Sequence, residues 1–301
     1  MHESLAGALL ASLARIAGGV ALGLAVVVLF CSMTGCVSRM FYYPDRTVHG
    51  SPADAGLAFR EVRFASRDGT ALSGWFVPAR GAATGTVIHL HGNAQNMSAH
   101  FSFVDWLPAR GFNVFAFDYR GYGASAGRPE RRGIYEDSLA AIEHVLSRPD
   151  VDPARVVVFG QSLGGANALA VLGREGTRGV KAVVADSAFF SYRSIVKDKI
   201  GAMPGLSLLR GPLSHLVIGD RLGPGEVVDR IAPVPVLFLH GTADRVIPAS
   251  HAQRLYDRAR EPKTLWLVPG LGHTEAITDP RTRDRLVAFL LAALDTPGSN
   301  P

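Results

Sequence analysis

Eight short runs rich in β-branched and aromatic residues punctuate the chain, at 59–65, 70–77, 86–90, 113–117, 156–159, 182–185, 234–239 and 264–268. From the third onward they are mostly apolar without polar alternation, the pattern of central strands covered on both faces. Helical patterns occupy the intervals 96–110, 135–147, 165–172, 249–258 and 279–294. Strand followed by helix, repeated in this way, predicts a mostly parallel, doubly wound α/β sheet. The first two runs are joined by Arg67-Asp68-Gly69. An Asp-Gly pair favours a tight reversal, so these runs should form an antiparallel hairpin at the edge of the sheet.

Two segments interrupt the rhythm. The connection 187–233 is long for an α/β loop, and its apolar residues, among them Phe189, Phe190, Met203, Leu206, Leu209 and Leu213, are punctuated by glycine and proline. It suggests a small apolar cap, the alternative being one helix and an ordinary surface loop. Residues 16–33 are continuously apolar or small, preceded by Arg15 and followed by Thr34-Gly35-Cys36. A helix this apolar on every face suits lipid better than a domain surface, which marks 1–36 as a signal peptide or membrane anchor. Thr34 and Gly35 before Cys36 resemble a bacterial lipoprotein cleavage box, in which the cysteine is acylated and becomes the new N-terminus. Two readings follow, a cell-envelope lipoprotein attached through Cys36 or a single-pass transmembrane anchor. The aromatic cluster Phe41-Tyr42-Tyr43-Pro44-Asp45 comes next and is expected to dock on the domain.

At 301 residues and 48% hydrophobic, the chain can bury one large core, so 37–301 reads as a single domain. Its net charge of +5, from 31 basic and 26 acidic residues, is spread without a basic tract, which argues against nucleic acid as a partner. Both cysteines, Cys31 and Cys36, lie in the N-terminal segment. The domain therefore has no thiol nucleophile, disulfide or cysteine-based metal site.

Chemistry concentrates in Gly160-Gln161-Ser162-Leu163-Gly164, placed between a buried strand and a small-residue helix. A serine at the apex of such a turn needs glycines on both sides to avoid collision, and the helix N-terminus favours developing negative charge. Ser162 is the candidate nucleophile; its competing role is that of a helix N-cap. A serine hydroxyl needs a base, and the base an orienting acid. Asp244 follows one strand and His273, in Pro269-Gly270-Leu271-Gly272-His273, follows another. Asp186, after the sixth run, is the substitute acid. Three strand ends on the same edge converge on one crevice in an open α/β sheet. His89 and His91 lie two apart on a strand but lack a suitable third ligand nearby, so they are weak candidates for a metal pair.

These motifs, together with His91-Gly92-Asn93 and Asp118-Tyr119-Arg120-Gly121-Tyr122-Gly123, resemble those of the α/β-hydrolases from about residue 41 to the last helix. The membrane segment and the Tyr-Pro-Asp sequence are most similar to membrane-associated members such as protein depalmitoylases and prolyl-aminopeptidase-like enzymes. The resemblance implies an α/β-hydrolase fold, a Ser162–His273–Asp244 triad and an oxyanion hole formed by the backbone N–H groups of Leu163 and Asn93. Asp118, Arg120 and Tyr122 would build a rigid loop. The chemistry expected is ester or thioester hydrolysis of an acyl substrate without a cofactor. An aminopeptidase-like amide hydrolase and a non-catalytic binding protein of the same fold are the alternatives.

Overall fold

The computed structural model describes residues 41–296 and isolated positions nearer the N-terminus. Most of the apolar run 16–33, and Cys36, fall outside the described residues. Among the described residues no helix is long and apolar enough to cross a membrane.

All eight strands form, as β1 (Arg60–Ala65), β2 (Ala71–Val77), β3 (Gly85–Leu90), β4 (Phe112–Asp118), β5 (Val156–Gln161), β6 (Ala182–Asp186), β7 (Val236–Gly241) and β8 (Lys263–Val268). They make one sheet in the order β8-β7-β6-β5-β3-β4-β2-β1. Every neighbouring pair is parallel except β1–β2 and β2–β4. The expected hairpin is thus in place, closed by Gly69 N–H donating to the Ser66 carbonyl at 2.9 Å.

Among the described residues, the helices longer than a single turn are α1 (Arg131–Leu146), α2 (Leu163–Glu175), α3 (Tyr192–Gly201), α4 (Arg210–Val217), α5 (Ser250–Arg258) and α6 (Pro280–Asp295). Along β4, Phe112, Val114 and Ala116 enter one core while Phe115 and Phe117 enter the other. On β5 the same alternation separates Val157 and Phe159 from Val156 and Val158. Both faces are dry, which is why these strands show no polar alternation in sequence. One core takes Ile142 of α1, Leu169 of α2 and Leu255 of α5; the other takes Leu286 and Leu290 of α6.

The expected helix over 96–110 is a correction. It breaks into a single turn, Met97–His100, and two 3-10 turns, Phe101–Phe103 and Pro108–Arg110. Pro108 has no N–H to give to the Val104 carbonyl, which accepts from Leu107 N–H at 3.0 Å instead. The segment 187–233 holds α3 and α4, packed against each other. The aromatic cluster docks on the domain: Tyr43–Pro44 pairs with Ala94–Gln95, and the Phe41 ring meets those of Phe189 and Tyr192 at 6.5 and 5.4 Å.

Candidate active site

A single residue, Ser162, turns the chain from β5 into α2, and the reversal forces it to φ 54° and ψ −113°. A non-glycine residue held there stores strain of about 1–3 kcal/mol. The turn closes only because its neighbours are glycines. A Cβ on Gly160 would strike the Gly164 carbonyl, and one on Gly164 would strike the carbonyls of Leu90 and His91. Ser162 N–H donates to the Asp186 carbonyl at 2.8 Å, tying the apex to β6. Although Ser162 stands at the N-cap position, its side chain makes no capping hydrogen bond. The hydroxyl is free to face the cavity above it.

Asp244 and His273 meet there. Loops after β7 and β8 are stitched together by Ala243 N–H donating to the Leu271 carbonyl at 2.9 Å. Asp244 Oδ1 accepts from the N–H groups of Val246 and Ile247, each at 2.8 Å, which fixes the plane of the carboxylate. Its Oδ2 then lies 2.7 Å from His273 Nδ1. With Nδ1 donating to the carboxylate, Nε2 of His273 is the atom left to accept a proton. Ser162 and His273 line the same cavity.

The second occupant of Asp244 Oδ2 went unnoticed in sequence. His240, fully buried at the end of β7, has its Nε2 at 3.1 Å from that oxygen and 2.8 Å from the Ile247 carbonyl. Both neighbours are acceptors, so Nε2 carries the proton and donates. Burial pushes the Asp244 carboxyl up, but hydrogen bonds from His240, His273 and Ile247 N–H outweigh it and hold the group well below the usual carboxylate range. A histidine inside an otherwise apolar buried run is a signal the sequence offered, because a buried imidazole requires a partner.

Asp186 is occupied elsewhere. Its carboxylate accepts from Gln161 Nε2 at 3.2 Å and from Ser187 Oγ at 3.0 Å, and burial pushes its proton affinity up. Ser187 Oγ also accepts from Thr274 N–H at 3.0 Å, so this pair props the loop that carries His273. The substitute acid is therefore a brace, not the partner of the histidine ring.

Leu163 opens α2, where a helix leaves its first N–H groups unsatisfied. Asn93 lines the same cavity and is pinned through its side chain, whose Nδ2 donates to the Phe41 carbonyl at 2.5 Å, and through its carbonyl, which accepts from Tyr122 OH at 2.7 Å.

The Asp118–Tyr122 loop stays out of the cavity wall and is built for rigidity. Arg120 spans Asp137 Oδ1 at 2.8 Å and Asp68 Oδ2 at 2.7 Å, and Gly133 leaves the room its guanidinium needs. Asp118 accepts from Met97 N–H at 2.7 Å, and burial pushes its pKa up to about 6. His89 and His91 hold separate partners, the Gln161 side chain at 3.0 Å and the Gly92 carbonyl at 2.7 Å. Burial drives His89 down to about 3 and His91 well below its ordinary value. Among the described residues no group of three His, Cys, Asp or Glu side chains is placed to hold a metal ion.

The cavity measures about 600 Å³ and is walled by Phe41, Leu163, Phe189, Ile195, Met203 and Ile247. Phe41 and Tyr43, from the aromatic cluster, contribute to its wall. Apart from the histidines, Lys199 is its one ionisable side chain besides Tyr43, and no carboxylate is among the described residues that line it.

Strand order, a nucleophile elbow after β5, and an acid and a histidine after β7 and β8 together define the α/β-hydrolase class. A family model described as serine aminopeptidase, S33, matches residues 81–222. Over 265 residues the chain is 43% identical to the uncharacterized protein YfhR of Escherichia coli strain K12, covering 85% of this chain and 88% of that protein. It is 34% identical to the alpha/beta hydrolase domain-containing protein WAV2 of Arabidopsis thaliana, over 69% of each chain. The solved structure of the Pyrococcus furiosus esterase Pf2001 shares the fold, with a TM-score of 0.66 at 23% identity, covering 84% of this chain and 97% of that one. The chain belongs to the α/β-hydrolase family.

Proposed function

We propose that the protein cleaves carboxylic ester or thioester bonds of acyl substrates through an acyl-enzyme on Ser162. His273 Nε2 takes the serine proton as the hydroxyl attacks the carbonyl carbon, then returns it to the leaving alcohol or thiol. Water, deprotonated by the same nitrogen, releases the acid. Asp244 holds the ring in its Nδ1–H tautomer and stabilises the imidazolium. The N–H groups of Leu163 and Asn93 receive the oxyanion, each such donor contributing about 2.7–4 kcal/mol to the transition state.

The observation that carries this reading is the strained Ser162, its hydroxyl uncommitted, at an apolar cavity shared with an Asp-paired histidine. The lining favours acyl chains, as a depalmitoylase-like substrate would require. The aminopeptidase alternative calls for an anionic group to hold a substrate's α-ammonium, and a cavity with a lysine and no carboxylate among its lining suits it poorly. We place the enzyme at the membrane of the cell envelope, held by residues 16–33 or by an acylated Cys36. Labelling with a fluorophosphonate tests the chemistry. Modification of Ser162, with hydrolysis of p-nitrophenyl esters across chain lengths, is the expected result; an unlabelled serine in folded protein refutes it.

A further inference from the structure

The α3–α4 hairpin carries a face that neither the core nor the catalytic cavity accounts for. Leu208 is 92% exposed, and Met203, Leu209 and Leu216 are about half exposed. Tyr43 and Val246, also exposed, continue the apolar surface at the cavity, whose wall they share with Met203. Charge on the hairpin is one-sided. Arg193, Lys197, Lys199 and Arg210 outnumber the hairpin's acid Asp198, held by His251 Nε2 at 2.7 Å, and Asp220 just beyond α4, which lies 3.7 Å from Arg193 Nη1. Between α3 and α4 a depression of about 190 Å³ is lined by Arg193, Lys197, His215 and Arg254, with Asp220 as its one carboxylate. Arg193 Nε is buried there without a hydrogen-bond partner.

The course of the chain says what could cover this face. Phe41, whose ring meets Tyr192 at the start of α3, follows the end of the apolar run 16–33 by only eight residues. A fully extended chain of that length spans roughly 30 Å. If 16–33 or Cys36 is fixed in lipid, the cap side of the domain is held beside that lipid. Leucines among cations are the composition of a surface that lies in an anionic membrane interface.

We propose that the cap hairpin rests on an anionic lipid bilayer, with Leu208, Leu209 and Leu216 among the acyl chains, Arg193, Lys197 and Arg210 at headgroup phosphates, and the cavity opening toward the membrane. The inference rests on the membrane reading given above. Acyl substrates then reach Ser162 from the bilayer without crossing water.

The test uses the full chain with vesicles of phosphatidylcholine and phosphatidylglycerol at 3:1, carrying brominated acyl chains. The described tryptophans, Trp75, Trp106 and Trp266, lie away from the cap, so Leu208→Trp adds a reporter to a wild-type baseline. The added emission should be quenched by at least half, and the quenching should weaken when phosphatidylglycerol is replaced by phosphatidylcholine. Leu208→Glu with Leu209→Glu should lower hydrolysis of a vesicle-borne long-chain ester about tenfold and leave p-nitrophenyl butyrate turnover unchanged. Protein that floats with vesicles but shows no added quenching overturns the cap contact while leaving the anchor standing. Failure to float overturns the anchor and this proposal together. A dimer that Leu208→Glu converts to monomer, without quenching, assigns the face to a second copy of the chain and overturns the lipid contact.

Discussion

In the proposed mechanism Ser162 combines chemical and conformational roles that substitution can separate. Ser162→Ala should lower ester turnover at least a thousandfold with the fold intact, as expected for loss of a triad nucleophile. Ser162→Gly should be equally inactive yet more stable than the alanine variant by about 1 kcal/mol in urea unfolding, because only glycine relaxes at φ 54°. Equal stability of the two variants would mean the elbow is unstrained. His240 makes a finer prediction. Its Nε2–H withdraws charge from Asp244 Oδ2, so His240→Leu leaves the carboxylate more negative toward His273 and strengthens the imidazolium. Since turnover needs the neutral ring, the acid limb of the kcat/KM profile should move to higher pH; an unmoved limb makes His240 a packing residue. Ser162, Asp244 and His273, proposed for catalysis, could be picked out in sequence because each sits beside glycines or directly after a strand. The roles of His240 and Ser187 could not, although Asp244 and Asp186 lie close to them in the chain, since both act through the His273–Thr274 loop, which only folding brings alongside.

Strands were more legible than helices, and the reason lies in burial. A strand covered on both faces is apolar except where a buried polar group has its own partner, and 182–185 and 236–239 are apolar throughout, with Asp186 and His240 at the strand ends. The 96–110 segment has helical spacing, but Pro108 and the packing of Phe101, Val104 and Leu107 under the sheet decide its broken course. The loop after β4 shows what such local structure contributes. Asp137 on α1 is fully buried and bonded to Arg120, so Asp137→Ala should cost about 3–5 kcal/mol by leaving a buried guanidinium half paired. Denaturant titration reads that loss. At a temperature where the variant is folded, kcat should change less than threefold, because the ion pair stands outside the cavity wall. A larger fall in kcat would mean the loop acts on the site.

For the whole molecule, the proposed membrane attachment is tested at Cys36. Cys36→Ser should block lipid attachment and cleavage, giving a heavier precursor that keeps 16–33, as intact mass of detergent-extracted protein would reveal. A wild-type mass showing an unmodified full chain would favour the transmembrane anchor. Either attachment relies on buried methylene groups, at about 0.8 kcal/mol each for an acyl chain. The sequence by itself determined the mostly parallel sheet, the hairpin at its edge and the three residues proposed for catalysis, because apolar periodicity and turn chemistry are local constraints written into neighbouring positions. Tertiary structure alone decided that Asp244 and not Asp186 faces the histidine, that His240 shares its carboxylate, and that Phe41 walls the cavity. It also left the leucines of the cap facing outward, as only the packing of α3 against α4 could decide. Those outcomes depend on which strand ends lie side by side and which surfaces remain uncovered, and distance along the chain carries no record of either.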